Sequence, residues 1–304
     1  MILINPISPV ALDIFGFQIR WYALAYIAAF VVGFWIVRKL GLGSGLGLGA
    51  ARDNAATRQQ VTPSPSPDPS PNKKYYDDLF AALILGVIIG GRLGYVLFYN
   101  LPFFLHYPWE IPMVWHGGMS FHGGLIGVIV AVSLFARKQQ KLAMSNEQCA
   151  MGSRGRSLLI AHCSLHILDT LAVAAPIGLF FGRIANFINM EVMGRATTRA
   201  WGVVFAGAAD QTPRHPSPLY EAGLEGILLF IIMLCLWRTK LRERPGALAG
   251  AAMILYAVFR IFCEQFREPD AQLGFLFGTD WITMGALLSV AMIVVGMVLL
   301  FRKK

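Results

Sequence analysis

Long apolar stretches with few charged residues constrain the fold of this chain most strongly. A helix needs about 20 predominantly apolar residues to cross the hydrocarbon core of a bilayer. Charged residues make up only 14% of the chain, well below the roughly 25% of soluble domains. The sequence therefore predicts one integral-membrane domain over residues 1–304, an all-α polytopic bundle of about seven transmembrane helices. The apolar cores of these spans are residues 21–37, 79–99, 121–136, 171–182, 226–237, 247–259 and 281–301.

The basic residues are distributed unevenly between the connections that join these spans. Of the 26 Lys and Arg residues, 18 lie in alternate connections and at the C-terminus, and five lie in the opposite connections. Cytoplasmic connections carry the excess of Lys and Arg in membrane proteins. The pattern predicts an N-terminus outside and a C-terminus in the cytoplasm. The same distribution accounts for the net charge of +9, so the charge does not indicate binding to nucleic acid. We expect no nucleic-acid partner.

Two of the basic connections have a biased composition. Residues 41–75 are rich first in glycine and then in proline and serine, which is typical of a flexible linker. Residues 137–166 are interpreted as a basic cytoplasmic loop. Within it, His162 and His166 would share a helix face and could bind a metal, but the sequence offers no second pair at ligand spacing. We therefore expect no metal and no cofactor.

Glycines recur every fourth residue within three of the spans. Such spacing places several missing side chains on one helix face and favours close helix packing. The pattern predicts that the second, third and fourth spans pack closely at Gly86, Gly90 and Gly94, at Gly123 and Gly127, and at Gly178 and Gly182.

His122 is a candidate functional residue near the outer end of the third span. Ionisable groups in hydrocarbon are costly, by about 3 kcal/mol on insertion scales. His122 lies in the segment WHGGMSFHGGLIG, where glycine pairs leave the imidazole unscreened and let a substrate approach. A purely structural role is the alternative interpretation.

The fourth span ends in a second polar group, GRIANFINMEVMGR. Helical spacing places Arg183 and Asn186 on one face. A guanidinium and carboxamides at one depth supply many donors, which fits a phosphodiester better than a cation. The alternative is a structural ion pair between Arg183 and Glu191. The polar residues that complete this group are Asn189, Glu191 and Gly194.

Further candidates lie near the fifth, sixth and first spans. Tyr256, Arg260 and Glu264 are each four residues apart, so the spacing predicts an Arg260–Glu264 pair. The segment RHPSPLYEAGLEG brings further polar groups, including His215, to the outer mouth, and its Glu221 and Glu225 share a helix face. The first span begins at an aromatic belt that includes Tyr22.

Four extended motifs in the same order carry a resemblance to a known family. HGGMSFHGGLIG, GRIANFINMEVMGR, RHPSPLYE and FRIFCEQFREPDAQ resemble the prolipoprotein diacylglyceryl transferases, which are bacterial inner-membrane enzymes. The sequence departs from the family pattern in the Pro/Ser linker, in the loop around residues 149–166 and in the segment 194–215. It also has Met190 where the family signature leads us to expect glycine.

The resemblance implies transfer of a diacylglyceryl group from phosphatidylglycerol to the lipobox cysteine thiol of a prolipoprotein signal peptide. A thioether forms and glycerol phosphate leaves. The thiol must lose a proton, for which His122 is the candidate base, oriented by a carboxylate or Tyr22. Arg183 and Arg260 are the candidates that stabilise the charge on the departing phosphate. The predicted substrate-binding residues are Arg183, Asn186, Asn189, Glu191, Gly194, Tyr22, Tyr256, Glu264, His215 and Glu221.

Two other classes of protein compete with this interpretation. A secondary transporter for an anionic solute would also use arginines inside the membrane, but such transporters usually contain repeated halves, and no internal repeat is found. A structural scaffold would leave the arginines within the spans unexplained. Activity in liposomes separates the classes, since an enzyme forms a thioether on a lipobox peptide and a transporter produces solute flux.

The charge distribution generates a prediction about topology. A reporter fused after Lys304, or inserted into the linker at residues 62–71, is expected on the cytoplasmic side. Protease protection or reporter activity in intact cells measures this. Extracytoplasmic signals at both positions would reverse the predicted orientation.

Overall fold

Seven long apolar helices dominate the structure, which is a computed structural model. It describes residues 2–3, 7–14, 17–40, 73–114, 117–146, 153–205, 211–269, 274–279 and 281–302. Within these ranges, seven helices have the length and composition to cross a membrane, and each overlaps a predicted span. The prediction of an all-α polytopic membrane protein is confirmed.

The helices extend beyond the apolar cores that define them in the sequence. The helices are α1 (Trp21–Leu40), α2 (Lys73–Phe98), α3 (Leu101–His106), α4 (Phe121–Asn146), α5 (Ser153–Ile188), α6 (Ser217–Glu221), a π-helical segment (Ala222–Leu228), α7 (Leu229–Trp237), α8 (Ala247–Glu264) and α9 (Met284–Phe301).

Of the two connections with a biased composition, the structure describes most of one and almost none of the other. Most of the segment interpreted as a basic loop, residues 137–166, is helical, because α4 continues to Asn146 and α5 begins at Ser153. Almost all of the predicted linker, residues 41–72, lies outside the described residues.

Residues 37–170 form one compact unit, in which α2 and α4 pack through their glycines. A Cβ atom at Gly86 would lie 2.7 Å from the carbonyl oxygen of Gly127, and a Cβ atom at Gly90 would lie 2.7 Å from the Cα of Gly127. Likewise, a Cβ at Gly94 would lie 3.0 Å from the backbone nitrogen of Gly123. The two backbones touch directly, as the spacing predicts for these two spans.

Arg92 organises the connection between α2 and α4 in the same unit. It is 5% exposed. Its guanidinium donates to the carbonyl oxygens of Glu110 (2.7 Å) and Ile111 (2.8 Å), and also to those of Gly117 and Gly118. Gly117 and Gly118 have φ of 85° and 78°, a conformation that glycine adopts without cost. A buried cation is thus stabilised by backbone dipoles, which in turn fix the loop.

Residues 1–36 and 171–304 form the second unit. Here α8 and α9 pack closely, since a Cβ at Gly250 would lie 2.7 Å from the Gly296 carbonyl oxygen. The predicted glycine contact of the fourth span is wrong at Gly182, which has no atom within 4 Å of a Cβ position among the described residues. The glycine that permits a close approach to α5 comes from the facing helix instead, where a Cβ at Gly226 would lie 2.7 Å from the Phe180 Cβ.

Short strands fold the polar segments of this unit. β1 (Ile2–Leu3) pairs in parallel with β4 (Val203–Val204), and β2 (Val10–Ile14) forms an antiparallel hairpin with β3 (Phe17–Arg20). Isolated bridges join Gly194 to Arg267 and link Arg214 to both Ala196 and Val203. The segment that follows α5 is thereby tied to the segments before α6 and after α8.

The C-terminus of α5 has the hydrogen bonds of a Schellman motif. The N–H of Met190 donates to the carbonyl of Phe187 (3.2 Å), and the N–H of Glu191 donates to that of Asn186 (2.9 Å). Met190 occupies the left-handed position, with φ of 55°. This explains why glycine is expected at this position of the signature, since a residue with a Cβ pays roughly 1–2 kcal/mol in that conformation.

Met190→Gly is expected to be more stable than Met190→Ala by about 1 kcal/mol. Both variants remove the methionine side chain, but only glycine adopts the left-handed backbone conformation at this position without strain. Thermal unfolding in detergent measures the difference. Ala81 provides the control, since it is an exposed helical residue where glycine destabilises by roughly 0.5–1 kcal/mol. An alanine variant at 190 as stable as the glycine variant would contradict the analysis.

Candidate active site

Two buried carboxylates hold Arg183 near the end of α5. The Arg183 Nε lies 2.8 Å from Oε2 of Glu221, and its Nη2 lies 3.2 Å from Oε2 of Glu225. Both glutamate side chains are 0% exposed, whereas the Arg183 side chain is 16% exposed. Ionisable groups within spans usually pair with one another or with backbone carbonyls, and here the fifth span supplies carboxylate partners for the arginine of the fourth span.

The local structure around the two glutamates brings them to α5. Glu221 ends α6 and Glu225 lies in the π-helical segment Ala222–Leu228. A π turn closes through i→i+5 hydrogen bonds, and such turns occur often at functional sites. Gly226 lies in the same segment, and its missing side chain allows the close approach to Phe180 described above. The carboxylates therefore reach Arg183 across a narrow helix interface.

Arg260 joins the same carboxylates from α8. Its Nη1 lies 3.2 Å from Oε2 of Glu221 and 3.7 Å from Oε1 of Glu225. Its Nη2 donates to Oε1 of Glu264, one helical turn further on. The predicted Arg260–Glu264 pair is confirmed. Arg267 approaches the same Oε1 of Glu264 at 3.7 Å.

These contacts define an ion network of three arginines and three glutamates. Its formal charges balance, and each side chain is at most 16% exposed. Removing one partner from a buried network leaves an uncompensated charge, which is strongly destabilising. The network thus fixes the guanidinium groups in place. Its members are Arg183, Arg260, Arg267, Glu221, Glu225 and Glu264.

A second polar cluster lies beside Arg183 on the same helix. The Nδ2 of Asn186 donates to the hydroxyl of Tyr22 (3.0 Å) and to Oε2 of Glu191 (3.4 Å). The alternative interpretation of an Arg183–Glu191 pair is wrong. The Schellman turn directs Glu191 towards Asn186, while Arg183 pairs with the carboxylates of the fifth span.

The other predicted substrate-binding residues take different positions. Gly194 forms a bridge with Arg267, and a Cβ there would lie 2.8 Å from the carbonyl oxygen of Phe266. Tyr256 is buried in α8, one turn before Arg260. The Oδ1 of Asn189 is buried and has no hydrogen-bond partner among the described residues. Gly194 therefore permits a close backbone contact at the edge of the network.

His215 belongs to a separate aromatic group. Its Nδ1 lies 3.1 Å from the hydroxyl of Tyr220, which also accepts from Nε1 of Trp201 (2.8 Å). Burial lowers the pKa of His215, and the positive charge of Arg199 lowers it further. Within the part of the chain that the structure describes, His215 forms no hydrogen bond, ion pair or ring contact with a member of the ion network, so its predicted role in substrate binding stays a prediction.

His122 lies in the first turn of α4, within the unit formed by residues 37–170. Its ring stands at 85° to that of Phe121, with the ring centroids 5.5 Å apart. The structure places it on a helix terminus whose glycines pack against α2. Its role as a base stays a prediction.

Four residues at the network are not assigned to the site from the sequence. One is Arg267, whose side chain is 15% exposed and lies 3.7 Å from Glu264. The sequence places Glu225 beside Glu221 at the outer mouth but does not predict the π-helical segment. Thr283 donates to Oε2 of Glu264 at 3.0 Å, and Gly285 lies against the same carboxylate. The only sequence signal for Thr283 is its residue type at the start of an apolar run, which is typical of a helix N-cap.

The described residues give no group of three or more His, Cys, Asp and Glu side chains arranged to hold a metal ion. His162 and His166 do share a helix face in α5, with ring centroids 4.6 Å apart.

The structure is a multi-pass bundle with a buried ion network between its helices, and ionisable groups within membrane spans often mark functional sites. Comparison with known sequences narrows the class. The chain matches the profile of the prolipoprotein diacylglyceryl transferase family over residues 9–152 and 155–302. It belongs to that family, and it is a transferase.

Relatives named phosphatidylglycerol–prolipoprotein diacylglyceryl transferase align over nearly the whole chain. The protein of Paramagnetospirillum magneticum is 45% identical over 296 residues, covering 97% of this chain and 93% of the relative. That of Azospirillum brasilense is 46% identical, covering 95% and 92%. The protein of Nitratidesulfovibrio vulgaris is 41% identical, covering 98% and 94%.

Glu225→Gln is expected to destabilise the protein by about 3 kcal/mol or more, because it leaves buried arginine charge uncompensated. Glu268→Gln is the matched control. Glu268 pairs with Arg214 at 3.2 Å but is 53% exposed, and such surface pairs contribute about 1 kcal/mol or less. Thermal unfolding of both variants measures the difference, and equal shifts would show that the network is not a structural determinant.

Proposed function

We propose that this protein transfers the diacylglyceryl group of phosphatidylglycerol to the thiol of the lipobox cysteine in prolipoproteins. The reaction forms a thioether and releases glycerol phosphate, and it is the first step of bacterial lipoprotein maturation. Membership of the family and the names of full-length relatives at 41–46% identity support this assignment. The lipid bilayer supplies one substrate and anchors the other.

The orientation of the Arg183 guanidinium is the observation that carries the proposal. Its Nε and Nη2 face carboxylates, while its Nη1 has no polar partner among the residues that the structure describes. Since the side chain is 16% exposed, one edge of a fixed cation remains available to an anion. Charge-assisted hydrogen bonds to phosphate oxygens are strong, so this edge suits the phosphodiester of the lipid headgroup.

The chemistry requires a thiolate and a stabilised leaving group. The thiolate sulfur attacks the carbon of the diacylglyceryl group that bears the phosphate, so a C–S bond forms as the bond between that carbon and the phosphate oxygen breaks. The electron pair goes to the departing phosphate oxygen, where Arg183 and Arg260 stabilise the developing charge. Donors that are already held in position need no reorganisation during the reaction. The paired carboxylates of the ion network provide that rigidity.

His122 is the proposed acceptor of the thiol proton. A free thiol has a pKa of about 8.5, so only a few per cent is ionised at neutral pH and a nearby base increases the reactive fraction. A neutral imidazole takes the proton and passes it to the departing glycerol phosphate, which keeps the overall charge unchanged.

The proposed location is the bacterial inner membrane, with the N-terminus outside. Seven apolar helices support the multi-pass arrangement. Under the topology inferred from the basic residues, the ends of α5 and α8 that carry Arg183 and Arg260 face the outer leaflet. Phosphatidylglycerol headgroups and the lipobox cysteine of a signal peptide meet at that depth.

Reconstitution tests the proposal directly. Purified protein in liposomes that contain phosphatidylglycerol is incubated with a lipobox peptide, and mass spectrometry follows the peptide. A mass gain of one diacylglyceryl group is expected, and a peptide with serine in place of the cysteine is the control. An unmodified cysteine peptide, with protein shown to be folded, would refute the assignment.

The role of Arg183 in binding phosphate can be tested without changing the net charge of the ion network. The double variant Arg183→Gln/Glu225→Gln removes one charge of each sign from the network, and we expect it to fold but to lose 10²–10³ in rate, roughly the effect of one transition-state charge contact. Arg183→Lys keeps the charge but not the planar fork, so a small residual activity is expected. Specific activity per folded molecule is the measurement. Normal turnover by the double variant would remove Arg183 from the phosphate site.

A further inference from the structure

The N-terminus of the last transmembrane helix contacts the ion network through Glu264. Thr283 immediately precedes α9, and its Oγ1 donates to Oε2 of Glu264 at 3.0 Å. The same Oγ1 accepts from the backbone N–H of Ala286 at 3.1 Å and so caps the helix. Thr283 is 5% exposed and Glu264 is 3% exposed. A hydroxyl has a single proton to donate, and here it is committed to the carboxylate.

Gly285 provides the space in which this carboxylate lies. A Cβ atom at residue 285 would lie 2.7 Å from Oε1 of Glu264 and 3.5 Å from Nη2 of Arg260. Glu264 therefore rests directly against the first turn of α9. The partial positive charge of a helix N-terminus favours a carboxylate at this position.

Both oxygens of Glu264 are thus assigned to partners. Oε1 faces Arg260 and Arg267, while Oε2 accepts from Thr283. A carboxylate with one oxygen bound can rotate about its terminal bond, since that torsion is broad. The bond from Thr283 restricts this rotation and so fixes the oxygen that meets Nη2 of Arg260.

We propose that Thr283 is a positioning residue for the transfer reaction. Its hydroxyl, together with the absence of a side chain at Gly285, orients Glu264, and Glu264 orients the Arg260 guanidinium towards the departing phosphate. Thr283 acts through Glu264 and does not contact the substrate. The inference rests on the proposed function of Arg260, and it gives the seventh span a role in the site.

A matched pair of variants tests the proposal. Thr283→Ser keeps the hydroxyl, and its kcat is expected within about threefold of the wild type. Thr283→Val keeps the shape but removes the donor, and its kcat is expected to fall roughly 10- to 100-fold, as for other small misplacements of reacting groups. The KM for phosphatidylglycerol is expected to change less than threefold. Gly285→Ala displaces the carboxylate by another route and should give a similar loss of kcat.

A double-variant measurement separates positioning from helix capping. The melting temperatures of Thr283→Val, Glu264→Gln and the double variant are compared, and coupling is expected because the two side chains share a hydrogen bond. Loss of kcat with coupled melting temperatures supports the inference. Normal kcat per folded molecule in Thr283→Val, a change in KM alone, or additive melting shifts would each overturn it. A wild-type protein that forms no thioether would instead refute the proposed function.

Discussion

The ion pairs between Arg183 and the two buried glutamates of the fifth span are the interaction on which this protein's site depends. An arginine in hydrocarbon needs polar partners, and here Arg183 pairs with carboxylates that include Glu225, 42 residues further along the chain. The π-helical segment and Gly226 bring the fifth span close enough for contact. Arg260 then shares the same carboxylates, so three spans meet at one set of charges.

Under the proposed function, the same network links stability to catalysis. Because the charges of its three arginines and three glutamates balance, the guanidinium groups are held without a bound ligand. Prearranged charges of this kind are effective in a low-dielectric site because they need not reorganise as the reaction proceeds. Single substitutions in the network are therefore expected to affect folding and turnover together, and charge-balanced or isosteric variants are needed to separate the two effects.

Local features of the sequence predicted the contacts that depend on helical spacing. Arg260 and Glu264 pair because residues four apart lie on one helix face. The glycines of the second and third spans produce a direct backbone contact for the same reason. The expected glycine at residue 190 also has a local cause, the left-handed backbone of a Schellman turn.

By itself, the sequence determined the seven spans and the polar residues within them, because burial in a bilayer imposes a length and a composition that can be recognised in one segment at a time. The tertiary structure decided which ion-pair and hydrogen-bond partners these polar residues have. It paired Arg183 with Glu221 and Glu225 rather than Glu191, and it placed Thr283 on Glu264. These contacts join residues far apart in the chain, and their geometry depends on helix packing and on a π turn that no local spacing rule specifies.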